Sequence, residues 1–255
     1  MKLSFMTWVC PGWDQQRIVK FAKEAGYDGV EFRVDCDQKH DISSRSTADE
    51  RRRCRKLFKD AGVEIPCIAT SIQMAAPEPE KHREHLAAAR ANLDLAADLG
   101  APIVRIFAGG GRTELTSEAA EQVAAAFDEV GEYAKARGVC PMLECGHDII
   151  KGAAESDEVL KRVKTSNFCA LWNYSEMDDS TFAVLKGRIR HLHVHDEVLD
   201  PANSNILTLA RRMRTINYKG YVSLEIIKGE DLPEDLLRAT ATRLNGFIAQ
   251  AYGGK

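Results

Sequence analysis

The sequence predicts an α/β protein, a single-domain (β/α)8 barrel over residues 1–255. Three observations predict it. Short apolar strand-like runs alternate with longer helix-like runs eight times along the chain. The pairs Ala25-Gly26, Ala61-Gly62, Leu99-Gly100 and Arg137-Gly138 each end a helical run a few residues before a strand, as left-handed glycine stops do. The length, 255 residues, is close to that of one such barrel.

The elements follow in order. A strand over 3–8 leads to a helix over 14–25 that stops at Gly26. A second strand, 29–33, precedes a helix over 47–61. The third strand, 65–71, is followed by a helix over 80–99 that starts after Pro77-Glu78-Pro79. The fourth, 103–108, closes on Gly109-Gly110-Gly111, and Ser117 is placed to cap a helix running to 137. Strands over 139–145, 168–173, 189–195 and 221–227 alternate with helices over 156–163, 180–185, 205–216 and 233–251. Parallel strands joined by helices require right-handed crossovers, and eight of them fit a closed barrel better than an open sheet. No Gly-x-Gly-x-x-Gly follows the first strand, which removes the signature of a dinucleotide-binding sheet. No linker or second domain is visible.

Composition narrows the function classes. Hydrophobic residues make up 44% and charged residues 29%, and the formal net charge is -3. An acidic balance argues against nucleic acid as the main partner, and the densest basic run, Arg51-Arg52-Arg53 with Arg55-Lys56, reads as a solvated helix face. No apolar run reaches the ~18–20 residues of a membrane span. Seven cysteines, an odd count without Cys-x-x-Cys, and no signal-peptide pattern point to buried thiols and a cytoplasmic setting. A homo-oligomer is compatible with this composition.

The richest chemistry lies in His191-Leu192-His193-Val194-His195-Asp196. Alternation at period two puts the three imidazoles on one face of a strand. Imidazoles two residues apart sit about 6.5 Å apart along it, so the row divides by depth rather than sharing one ion. His191 is then a packing or supporting residue, His193 a ligand, and His195 a group at the mouth. Two other strand-like runs end on carboxylates, Glu144 and Glu225, and a third ends on Asn173. In a barrel, the C-terminal strand ends form the site, so these four residues on strands five to eight are expected to converge. One imidazole with oxygen ligands suits a divalent cation: Mn²⁺, Mg²⁺, Co²⁺ or Zn²⁺. The loop Gly109-Gly110-Gly111-Arg112 admits a phosphate-cradle reading beside that of a mobile loop.

These motifs resemble the sugar phosphate isomerase/epimerase superfamily with a xylose isomerase-like TIM barrel. The resemblance rests on Gly26-Tyr27-Asp28-Gly29-Val30-Glu31-Phe32, Val104-Arg105-Ile106-Phe107, Leu143-Glu144, the Arg188–Asp196 run and Ser223-Leu224-Glu225-Ile226, and it covers essentially the whole chain. It implies that Glu144, Asn173, His193 and Glu225 occupy the four metal-ligand positions. It further implies a small carbohydrate substrate and proton transfer by Glu144 and Glu225 through an enediolate. His147, Arg105, His195, Glu176 and Trp8 are the expected substrate contacts, with Arg33 and Lys228 behind them. Three positions depart from the pattern. Asn173-Tyr174-Ser175-Glu176 stands where relatives carry Asp-x-x-His, His195 stands for a lysine, and Leu199 stands for the arginine of ketose 3-epimerases. The last argues against a free-ketohexose epimerase.

Alternatives in the same superfamily are an inosose dehydratase-like lyase, a sugar-binding barrel that has lost its metal, and an endonuclease. Ser71-Ile72-Gln73 and the three glycines lack the additional histidines that the endonuclease branch requires.

Overall fold

The structure is a computed structural model that describes residues 1–174 and 178–253. Eight parallel strands close into a barrel in sequence order, with β1 hydrogen-bonded to β8. The strands are β1 (Lys2–Met6), β2 (Gly29–Arg33), β3 (Ile68–Gln73), β4 (Ile103–Phe107), β5 (Cys140–Cys145), β6 (Cys169–Asn173), β7 (Ile189–Val194) and β8 (Tyr221–Leu224). The helices are α1 (Gln15–Ala25), α2 (Ala48–Ala61), α3 (Pro79–Leu99), α4 (Ser117–Lys135), α5 (Ala153–Leu160), α6 (Asp179–Leu185), α7 (Asn205–Thr215) and α8 (Glu234–Tyr252).

The local rules account for most boundaries. Asp14 caps α1 by accepting from the Arg17 amide, and Thr47 with Glu50 forms a reciprocal capping box on α2. Gly26, Gly62 and Gly100 end α1, α2 and α3 at φ of 82°, 74° and 80°, a region L-residues rarely adopt. The fourth helix corrects the sequence reading at both ends. Thr116, not Ser117, is its cap, and the helix stops at Lys135 with Gly138 two residues beyond its C-cap. Helix α5 begins three residues earlier than expected and ends at Leu160. β8 ends at Leu224, so Glu225 stands one residue past the strand, its amide still bonded to the Val194 carbonyl at 2.9 Å.

The apolar residues form two bodies. A large core between strands and helices includes Phe5, Phe32, Leu93, Phe127, Leu192 and Leu237. Helix stripes feed it: Ile18, Val19, Phe21, Ala22 and Ala25 are the buried residues of α1, and Ile206, Leu209, Ala210 and Met213 those of α7. Inside the barrel a small cluster of Cys67, Ile103, Met142, Cys169 and Leu171 plugs the lower half. Polar side chains fill the rest, so the interior is a packed polar column on an apolar floor. Among the described residues, no helix is long and apolar enough to cross a membrane.

Candidate active site

Strand register and barrel stagger bring the site together. Asn173 pairs with His193 across β6 and β7, whereas Glu144 pairs with Leu171 and Ser223 with His193. Glu144, Asn173 and Glu225 are thus not level in register; the tilt of the strands carries them to a common height. Glu144, His193 and Glu225 each offer a ligand atom, all within 4.8 Å of one another, and all three side chains are buried.

The contacts are specific. His193 Nδ1 lies 2.8 Å from Glu225 Oε2 and 3.9 Å from Glu144 Oε1. Its Nε2 faces the Glu31 carboxylate at 3.0 and 3.1 Å. Glu31 is fully buried on β2 and also meets His191 Nε2 at 2.9 Å. A carboxylate on Nε2 keeps a proton there and turns Nδ1, the nitrogen that would give up its proton to take a cation, toward Glu144 and Glu225. Asn173 Nδ2 donates to Glu144 Oε1 at 2.5 Å. Arg105, from β4, sits against both acids: its Nε is 3.0 Å from Glu144 Oε2 and its Nη2 3.5 Å from Glu225 Oε1.

These charges set one another's protonation. Burial would raise the carboxyls of Glu31 and Glu225, but His193 with His191, and His193 with His195 and Arg105, hold them well below the usual carboxylate range. Burial would lower His193, but Glu31 and Glu225 push it well above the ordinary imidazole range. Arg105 is raised despite burial by Glu144, Glu225 and Glu31.

Of the buried polar atoms here, Asn173 Oδ1 has no hydrogen-bond partner, while Glu144 Oε2 and His193 Nδ1 meet only the charged groups of Arg105 and Glu225. Carboxylate oxygens of Glu144 and Glu225 and an imidazole nitrogen gathered within 4.8 Å form a donor set that fits a divalent cation, with the Asn173 amide oxygen as the fourth contributor. The residues present therefore fit the metal that the sequence pattern implies.

Above this floor opens a cavity of about 470 Å³ at the C-terminal ends of the strands. Trp8, Arg105, His147, His195, Glu144 and Glu225 line it, as do Arg33, Ser71, Phe107, Asp196 and Ile227. Ile227 on its rim is the large apolar side chain left exposed among the described residues. Lys228 is paired with Asp196. Glu176 lies outside the described residues. A larger cavity, about 600 Å³, lies under the opposite end of the barrel among Phe58, Val63, Ile65 and Tyr221, away from the carboxylates and histidines.

Two features escape the sequence reading. Glu31 appears there only as part of a motif, although a carboxylate between Val30 and Phe32 in a buried strand is its own signal, since such a group requires a partner. The glycine loop is not an open anion cradle. A Cβ on Gly110 would lie 2.3 Å from the Ala76 amide, and Gly109 abuts the Asp148 carboxylate. Arg112 is spent on the Ala75 carbonyl and Gln122.

A closed parallel barrel with carboxylates and an imidazole gathered at the C-terminal mouth defines the class by architecture, a polar-centred α/β barrel. The family profile of the xylose isomerase-like TIM barrel matches residues 19–245, and the chain belongs to that family. No curated protein matches it in sequence. Among solved structures it is similar to an L-ribulose 3-epimerase (18% identity, TM-score 0.81, covering 99% of this chain and 94% of that one). A 3-keto-D-glucoside 4-epimerase from E. coli gives 16% identity and a TM-score of 0.78, covering 96% and 99%. A D-psicose 3-epimerase from Clostridium cellulolyticum H10, solved with D-tagatose, gives 14% and 0.80, covering 98% and 99%. At these identities the likeness is one of fold.

Proposed function

We propose that the protein is a divalent-metal-dependent isomerase or epimerase of a small keto-sugar. The observation that carries this is the placement of two buried carboxylates, Glu144 and Glu225, on the floor of the cavity, with His193 and Arg105 between them. The sugar epimerases of the same fold support the substrate class.

Glu144, Asn173, His193 and Glu225 would hold the cation. When bound, the ion supplies Lewis acidity that polarises the substrate carbonyl and acidifies the adjacent C–H. The chain's own groups do the rest. Glu144 and Glu225 reach the reacting carbon from separate strands, so one removes the proton and the other returns it, to the opposite face or to the neighbouring carbon. Arg105 spans both carboxylates and steadies their charge as it shifts from one to the other. His147 and His195 stand at the wall and mouth for substrate hydroxyls, and the indole of Trp8 offers a flat apolar face to a sugar. The free state of all seven cysteines supports a reducing, cytoplasmic setting.

The test is solvent deuterium incorporation into a panel of ketoses, inososes and keto-acids with Mn²⁺ present. Exchange at a carbon next to a carbonyl is expected, and Glu225→Gln is expected to lower its rate by at least ~10²-fold, the lower range for a proton-transfer group. Intact exchange in that variant would remove the two-carboxylate mechanism.

A further inference from the structure

Arg33 is the unexplained charge of the cavity. It ends β2, is 7% exposed and lines the cavity wall. Its guanidinium contacts are neutral: Nη1 donates to the Val34 carbonyl at 2.6 Å and the Ala69 carbonyl at 3.4 Å, and Nη2 to the Ser71 hydroxyl. Among the described residues no carboxylate forms an ion pair with it. The neighbouring acids are committed elsewhere. Glu225 is held by His193, His195 and Arg105, and Glu144 by Arg105 and Asn173. Asp35 is held by Ser44 and Asn92, and Asp196 by Lys228. A cation removed from water without a counter-ion is costly, and the like charge of Arg105 adds to that cost.

We propose that Arg33, with the Ser71 hydroxyl beside it, receives a carboxylate of the substrate, which makes the substrate a keto-sugar acid. This deepens the proposed function and rests on it. Barrel order supplies the geometry: Arg33 and Ser71 come from β2 and β3 and Trp8 from the turn after β1, whereas Glu144 and His193 come from β5 and β7 and Glu225 follows β8. A chain lying across the mouth puts its acid end on the first group and its carbonyl over the second. The Trp8 ring, 5.6 Å from Arg33 Cζ, flanks the guanidinium. One planar fork and one hydroxyl match a carboxylate. A phosphate would call on further donors, and the adjacent glycine loop with Arg112 is tied into the protein's own backbone.

The experiment is calorimetric titration of the Mn²⁺-loaded protein with 5-keto-D-gluconate, D-fructose and D-fructose 6-phosphate. The keto-acid is expected to bind at least tenfold more tightly than fructose. Arg33→Gln should erase that advantage, Arg33→Lys should restore part of it, and Ser71→Ala, at an exposed position that does not threaten folding, should reduce it several-fold. Equal affinity of the keto-acid and fructose in the wild-type protein, preference for the phosphate ester, or an advantage that survives in Arg33→Gln would each overturn the proposal. Arg33-dependent binding without deuterium exchange would instead sink the proposed reaction and leave the carboxylate site standing. Exchange on the keto-acid that is indifferent to Arg33→Gln would do the reverse.

Discussion

At the scale of single residues, the site depends on a group outside the donor set. Glu31 fixes the Nε2 proton of His193 and so decides that Nδ1 faces Glu144 and Glu225. Glu31→Gln keeps the volume but presents an amide whose nitrogen cannot accept from either imidazole. We expect its Mn²⁺ affinity to fall ~10–100-fold, the range for losing a carboxylate behind a metal-bound histidine. Titration of Mn²⁺ followed by paramagnetic resonance measures this directly, separately from melting temperature. An unchanged affinity in a folded variant would show that His193 needs no such support. The residue scale is also where the sequence was least legible. His193, Glu144 and Glu225 are readable because each stands within one residue of a strand's C-terminal end, and Arg105 because it interrupts an apolar strand. Glu31 and Arg33 are harder, since their meaning lies in partners roughly 160 residues away in sequence or in the lack of a charged partner, and neither is local.

At the scale of elements, the β2–α2 connection is held by a neutral histidine. His40 Nδ1 accepts the Ile42 amide at 3.0 Å, and its Nε2 lies 2.8 Å from Gln38 Oε1 and 3.1 Å from the Arg33 carbonyl. Burial lowers its pKa to about 4. The folded value is below the unfolded one, so this stabilisation is complete above pH ~6.5 and is lost as pH falls toward 4. Between pH 7 and pH 5 the loss from this one group is about 2 kcal/mol. Urea unfolding at the two pH values checks it: His40→Gln should show a pH dependence smaller by about that amount, and identical slopes in the two proteins would refute it. Because the same ring bonds the Arg33 carbonyl, the connection that yields at low pH also supports the cavity wall. Most elements were legible because caps and glycine stops are local chemistry. Of the misplaced ends, the start of α4 reflects a choice between two adjacent local caps, Thr116 and Ser117, while those of β1, β3, α5 and β8 are set by strand pairing and packing, which periodicity does not register.

For the whole molecule, closure of eight strands was readable from repetition alone, whereas the polar filling of the barrel was not. Repetition counts units; it does not say which side chains meet inside. A folded barrel that holds an ion between separate strands should gain stability from the ion by mass action. At a hundredfold excess of free Mn²⁺ over its dissociation constant, the gain is about 2.7 kcal/mol, or roughly 5–10 °C in melting temperature for a chain of this size. Calorimetric melting with Mn²⁺ and then with chelator tests this. A shift that persists in a Glu144→Gln/Glu225→Gln double variant would place the ion elsewhere.

The bridge from Glu31 to both His191 and His193 has a consequence for descent. One carboxylate serves two imidazoles, so replacing it strands both in a dry interior, and replacing either imidazole leaves the acid half-served. No one-step route passes through a satisfied intermediate. The β2 acid and the β7 histidine pair should therefore be inherited as a block, present together or absent together across related chains, while the cavity wall around Arg33 is free to drift with the substrate.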